Sequence, residues 1–171
     1  MAGNSTARNT SIVVGVVIAA LIGLLAFGIG GDEETLLGEP APQVAGTTTG
    51  GDAYNIDDAQ GRWVLVNFFA TWCPGCVNEH PDLIQFDAWA EETGQAEIVA
   101  VVFNDSPERV EDFFLNQGGD WPVIIDPTMA EDFGVTNIPE TFLVNPSGRV
   151  VLHIEGEVNA QALIDIIEEP A

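Results

Sequence analysis

Lysine is absent from the 171 residues, and the strongly basic side chains are four arginines: Arg8, Arg62, Arg109 and Arg149. Against them stand 27 acids, none earlier than Asp32, so the segment from residue 32 onward carries a balance of −24. A surface of that sign repels phosphate backbones and anionic headgroups, which excludes nucleic-acid or lipid binding through basic patches. Acid-rich chains can be disordered, yet 46% of these residues are hydrophobic and apolar runs recur at regular intervals. The acid excess therefore reads first as solubility or a high-salt habitat, ahead of an acidic-partner role.

Cysteine and histidine are nearly as scarce. Cys73 and Cys76 are the only cysteines, and His80 and His153 the only histidines. A structural zinc site needs about four ligands. His80 follows Cys76 by four residues, but His153 falls in a separate predicted strand, so the ligand count favours redox chemistry over metal binding. No internal repeat and no nicotinamide- or flavin-binding motif is present.

What is present is Val64-Leu-Val-Asn-Phe-Phe-Ala-Thr-Trp-Cys-Pro-Gly-Cys76, an apolar β-branched run ending in Cys-x-x-Cys, followed by helical spacing. Two cysteines at that spacing share the first turn of a helix, where the partial positive charge favours thiolate over thiol. Thiol–disulfide chemistry is the expectation, with Cys73 the attacking thiolate and Cys76 the resolving thiol. The redox-active pair then needs no separate cofactor or metal.

Ser11 to Gly30 is a 20-residue stretch without a charge. A helix of that length spans about 30 Å, the thickness of a bilayer's hydrocarbon core, whereas the apolar part of a cleaved signal is usually about 7–15 residues. Arg8 precedes the stretch and Asp32-Glu-Glu34 follow it, so the positive-inside tendency leaves the N-terminus in the cytoplasm and exports the rest. Disulfides persist there. The expected organisation is a cytoplasmic N-terminus over 1–10, a transmembrane anchor over 11–31, a Gly/Pro-containing linker over 32–43 and one domain over 44–171.

Within that domain Val44 to Asn55 suits a short hairpin. Strands follow at Trp63–Phe69, Ile98–Phe103, Pro122–Ile125, Thr141–Val144 and Val150–Ile154. Helices begin at Pro74, after Ser106 as N-cap, and at Pro127, and the last covers Ala160–Glu169. Pro81 should kink the first helix, and Gly94 ends it. The β-α-β-α-β-α-β-β-α order implies an α/β domain with a central mixed β-sheet and helices on both faces.

A strand ending in Trp-Cys-x-x-Cys, with Ile-Pro before a later strand, resembles the thioredoxin fold, from about residue 40 to the C-terminus. Asn67-Phe-Phe-Ala-Thr-Trp-Cys73, Cys76-Val-Asn-Glu-His80 and Gly134-Val-Thr-Asn-Ile-Pro-Glu-Thr-Phe142 resemble the membrane-tethered TlpA/DsbE branch. That branch includes reductants used in cytochrome c maturation. Ala70 stands where a thiol peroxidase would carry Thr. The resemblance implies a cis peptide at Pro139, with the Ile138 backbone presented to an extended substrate and Trp72 packing on it. It also implies exported clients, apocytochrome c foremost, and a membrane partner that supplies electrons. Asn67 occupies the place of the buried Asp of thioredoxins proper. An amide cannot accept a proton, so that task would pass to Glu79, one turn beyond Cys76 on the same helix face, or to Glu140. The alternatives left open are an oxidant of the same fold and a non-catalytic metal carrier using the cysteine pair.

Overall fold

The structure is a computed structural model that describes residues 36–59 and 61–169. The segment expected to cross the membrane, 11–31, lies outside the described residues, as do residues 1–10. Among the described residues no helix is long and apolar enough to cross a membrane.

Strands β1 (Ala45–Thr47) and β2 (Ala53–Asn55) form a small antiparallel hairpin. The main sheet contains β3 (Trp63–Phe69), β4 (Ala96–Val102), β5 (Val123–Ile124), β6 (Glu140–Val144) and β7 (Val150–Glu155), in the spatial order β5-β4-β3-β6-β7. The strands β3, β4 and β5 are parallel, whereas β6 pairs antiparallel with both β3 and β7. Crossovers require helices: α1 (Pro74–Thr93) joins β3 to β4, and α2 (Pro107–Gln117) joins β4 to β5. A short α3 (Pro127–Asp132) precedes β6, and α4 (Ala160–Glu168) closes the chain. This is the thioredoxin fold.

Strand alternation sorts the core into two halves. Leu65 and Phe69 of β3 join Ala96, Ile98, Ala100 and Val102 of β4 on one face, under Leu83, Phe86 and Ala90 of α1, Val110 of α2 and Leu163 of α4. Val64, Val66 and Phe68 join Val99 and Val101 on the other, under Met129 and Ala130 of α3. There Phe68, Phe133 and Phe142 form a triad with ring centroids 5.0–5.9 Å apart. Their tilted and edge-on geometry suits the ring quadrupoles.

The expected linker ends earlier than its composition suggests. Gly38 N donates to Val150 O at 2.7 Å, Val150 N to Glu39 O at 3.0 Å and Ala41 N to Gly148 O at 2.9 Å. Residues from Leu36 onward therefore line the start of β7 and belong to the domain. Glycine and proline mark a tether only where the backbone is solvated, and here an unpaired strand edge takes up its hydrogen bonds. The first helix also runs unbroken through Pro81 to Gly94, which adopts φ +67° and donates to Ala90 O.

Gly119 shows how tightly the α2–β5 connection packs. Its φ is +99°, and a Cβ built there would lie 2.8 Å from Trp121 Cη2 and 3.2 Å from Phe114 Cε1. Gly119→Ala should destabilise the domain by at least about 1–2 kcal/mol from backbone conformation alone, with the ring overlap added. An unchanged urea midpoint would refute that account.

Candidate active site

The site forms where β3 hands over to α1. Cys73 is the N-cap of that helix, with extended dihedrals of φ −89° and ψ 113°, and its Sγ accepts from Cys76 N at 3.1 Å. Pro74 takes the first helical position, where its missing N–H leaves no bond unmade. Cys73 and Cys76 are joined by a disulfide, and each is 3% exposed. In this oxidised form both cysteines are almost fully covered. The Ile138–Pro139 peptide is cis. A Cβ added at Gly75, between the cysteines, would lie 3.0 Å from Pro139 Cδ and 3.6 Å from Glu157 Oε1. The small residue thus lets the Pro139 loop lie directly against the cysteine loop.

One turn beyond Cys76 on α1 sits a buried carboxyl group. Glu79, 1% exposed, accepts from Asn67 Nδ2 at 2.9 Å and from Val158 N at 3.0 Å. Asn67 Nδ2 also donates to Thr141 Oγ1 at 3.0 Å. Asn67 shares the α1-side face of β3 with Leu65 and Phe69, and Thr141 is its cross-strand partner, so the three polar side chains converge under α1. Desolvation raises the Glu79 carboxyl, the two hydrogen bonds partly oppose it, and the result is a pKa pushed up to about 7. Nearby Glu157 and Asp82 add to the rise.

Glu140 does not join this group. At the start of β6 it pairs with Phe68 of β3, so its side chain enters the opposite face of the sheet from Thr141. There one oxygen accepts from Asn137 N at 3.3 Å and the other from His153 Nε2 at 2.8 Å. His153 stacks on Phe142 at 4.2 Å. Of the two carboxylates singled out by sequence, Glu79 alone shares the hydrogen-bond cluster of Asn67.

His80 is likewise committed elsewhere. Its Nε2 donates to Gly118 O at 2.9 Å, and its ring lies 4.8–5.6 Å from Phe113, Trp121 and Phe114. Burial lowers its pKa and so favours the neutral ring. Among the described residues no group of three or more His, Cys, Asp or Glu is placed to hold a metal ion.

Trp72 is 54% exposed beside Cys73, and its Nε1 donates to Asn104 O at 3.0 Å. Asp105, which sequence patterning does not single out, binds the preceding residue. Its Oδ2 accepts from Thr71 N at 2.7 Å and from Thr71 Oγ1 at 2.6 Å. The visible signal at this position is Ser106 as helix N-cap, with nothing to show that its neighbour reaches across to the cysteine loop.

Glu79 makes stability pH-dependent in a stated direction. A carboxyl that titrates near 7 when folded, against 4.5 ordinarily, binds protons more tightly in the folded state. Its contribution is full below pH 4.5 and is lost as pH rises through 7, by roughly 3 kcal/mol at most. Glu79→Gln removes the titration. Stability of the variant relative to wild type should therefore rise between pH 5 and 7, above any constant offset from altered hydrogen bonding. Parallel curves in denaturant titrations across that window would contradict the assignment.

The sequence pattern of the Redoxin family matches residues 36–166. The chain is 31% identical over 137 residues to the thiol-disulfide oxidoreductase ResA of Bacillus subtilis, covering 79% of this chain and 76% of that protein. It is 33% identical over 138 residues to the thiol:disulfide interchange protein HelX of Rhodobacter capsulatus, covering 78% and 76%. A crystal structure of a thiol:disulfide interchange protein of the thioredoxin family from Chlorobium tepidum superposes with a TM-score of 0.70. That protein is 29% identical, and the match covers 75% of this chain and 93% of that one. With a Cys-x-x-Cys disulfide at the head of α1 and these relatives, the chain belongs to the Redoxin family as a thiol–disulfide oxidoreductase.

Proposed function

We propose that the protein is a membrane-tethered reductant of disulfides in exported proteins, apocytochrome c among them. The observation that carries the reading is the cysteine pair at the α1 N-terminus, backed by the buried Glu79 carboxylate. In the reduced enzyme the Cys73 thiolate attacks one client sulfur. A Cys73–client bond forms, the client S–S bond breaks, and the other client sulfur leaves as a thiolate. Cys76 then loses its proton and attacks Cys73 Sγ, which releases the second client thiolate and closes the Cys73–Cys76 disulfide. Two electrons have passed to the client.

Each role has physical support. The helix N-terminus favours the Cys73 anion. A carboxyl with a pKa near 7 exchanges protons readily at neutral pH, and Glu79 lies one turn beyond Cys76. Ile138, Pro139 and Trp72 flank the pair and supply the client-binding face, and Glu140 anchors the Pro139 loop from beneath through His153. The apolar stretch at 11–31 supports an anchor that leaves the domain outside the cytoplasm. A reductant there must be re-reduced by a membrane partner, and tethering raises the effective concentration of the two for each other.

Cys76→Ala in cells should hold Cys73 in a mixed disulfide with its client, recovered by affinity capture and released by dithiothreitol. Capture of exported cysteine-pair proteins such as apocytochrome c is expected; a random set of oxidised proteins would remove the dedicated client. A reduction potential near −270 mV fits a reductant, and one near −120 mV would make the protein an oxidant. Metal retained against a chelator, with both thiols protected, would replace the redox role with metal carriage.

A further inference from the structure

Trp72 is the large apolar group that the site leaves open, and a half-exposed indole beside a nucleophile needs something to fix its orientation. One hydrogen bond does so, from Nε1 to Asn104 O. Asn104 has φ +49°, and it is the one non-glycine residue with positive φ among the described residues. Asn is among the few side-chain-bearing residues that adopt this conformation readily, and a neighbouring residue fixes the turn around it. The neighbour here is Asp105.

The Asp105 side chain is fully covered although it lies close to the surface. Besides the two bonds from Thr71, its Oδ1 accepts from Ser106 N at 2.7 Å and from Arg109 Nε at 2.6 Å, and Arg109 Nη2 lies 2.6 Å from the same oxygen. One oxygen thus holds the residue before Trp72, and the other holds the first turn of α2. Burial alone would raise this carboxyl, but the bonds from Thr71, Ser106 and Arg109 outweigh it and keep it below the ordinary carboxylate range. Charge-assisted hydrogen bonds are about twice as strong as neutral ones. The carboxylate therefore joins two loops that chain connectivity leaves separate: Thr71-Trp72 after β3 and Asn104-Asp105 after β4.

We propose that Asp105 is a positioning residue of the thiol–disulfide reaction: by clamping Thr71 to the start of α2 it holds Asn104 O under the Trp72 indole and fixes that ring as the wall of the client-binding face beside Cys73. The proposal rests on the reading that Trp72 contacts the client. Asp105 touches neither sulfur, so it acts on client binding and leaves the chemistry at the thiols unchanged.

The test measures insulin reduction by the full chain at saturating dithiothreitol, together with the pH midpoint of iodoacetamide alkylation at Cys73. Asp105→Asn loses the charge and faces Thr71 with a donor. Its KM for insulin should rise about tenfold, with kcat within twofold of wild type and the alkylation midpoint unmoved. Trp72→Ala should raise KM similarly, and adding Asp105→Asn to it should change KM by less than about twofold, because the two act through one contact. Fully multiplicative effects, a shifted alkylation midpoint, or a loss confined to kcat would each overturn the proposal. Thr71→Val removes only the hydroxyl bond and covers the case in which Asp105→Asn fails to fold. A roughly threefold rise in KM is expected there, and an unchanged KM would overturn the proposal. An unchanged KM in Trp72→Ala would instead defeat the client-face reading itself, which separates the two failures.

Discussion

An anion at 1% exposure inside an apolar cluster has to be justified by its partners, and the architecture of this domain converges on the partners of Glu79. One comes from the central strand through Asn67, the other from the loop before α4 through Val158 N. The carboxylate therefore ties together β3, α1 and the C-terminal segment. Burying a carboxyl with two donors is tolerable; burying it with none would cost several kcal/mol. Asp82, one turn further along α1, extends the same connection by accepting from Ala160 N at 2.9 Å and Asn159 Nδ2 at 3.1 Å. The helix that carries the cysteines is thus positioned by its own acids.

This arrangement suits an amide at residue 67. A carboxylate there would face Glu79 at hydrogen-bond distance, and two like charges that close in a low dielectric cannot both stay ionised. The amide keeps the strand position polar and donates where a second acid would repel. The buried carboxyl group stands on the helix, and Asn67 on the strand supplies one of its two donors.

Much of this was legible in the sequence because it is written in local chemistry. Ser106, Pro107, Pro74 and Gly94 announce helix ends through capping physics that involves only near neighbours, and the structure places helix termini at each. The period-two and continuous apolar runs locate β3, β4 and β6 to within two residues. The cysteine spacing and the Ile138-Pro139 pair locate the site. What was not legible depends on distant partners. Leu36–Ala41 looks like a tether until the bare start of β7 is present to receive it. Helix-face spacing favours Glu79 over Glu140 in the sequence, but only register, which sends Glu140 and Thr141 to opposite faces of β6, separates Glu140 from the Asn67 cluster. Asp105 is one of 27 acids, and only the fold brings it to Thr71, 34 positions earlier.

The two outermost strands of the main sheet are each met by a segment from before β3. Thr48 bridges to Ile124 in β5, with Thr49 N bonded to Val123 O, while Gly38, Glu39 and Pro40 run along the start of β7. A strand edge with free N–H and C=O groups is a template on which another polypeptide can add itself. The domain thus occupies part of each border with its own backbone, at β5 and at the first residue of β7. Where its own backbone already takes up those groups, no second chain can extend the sheet.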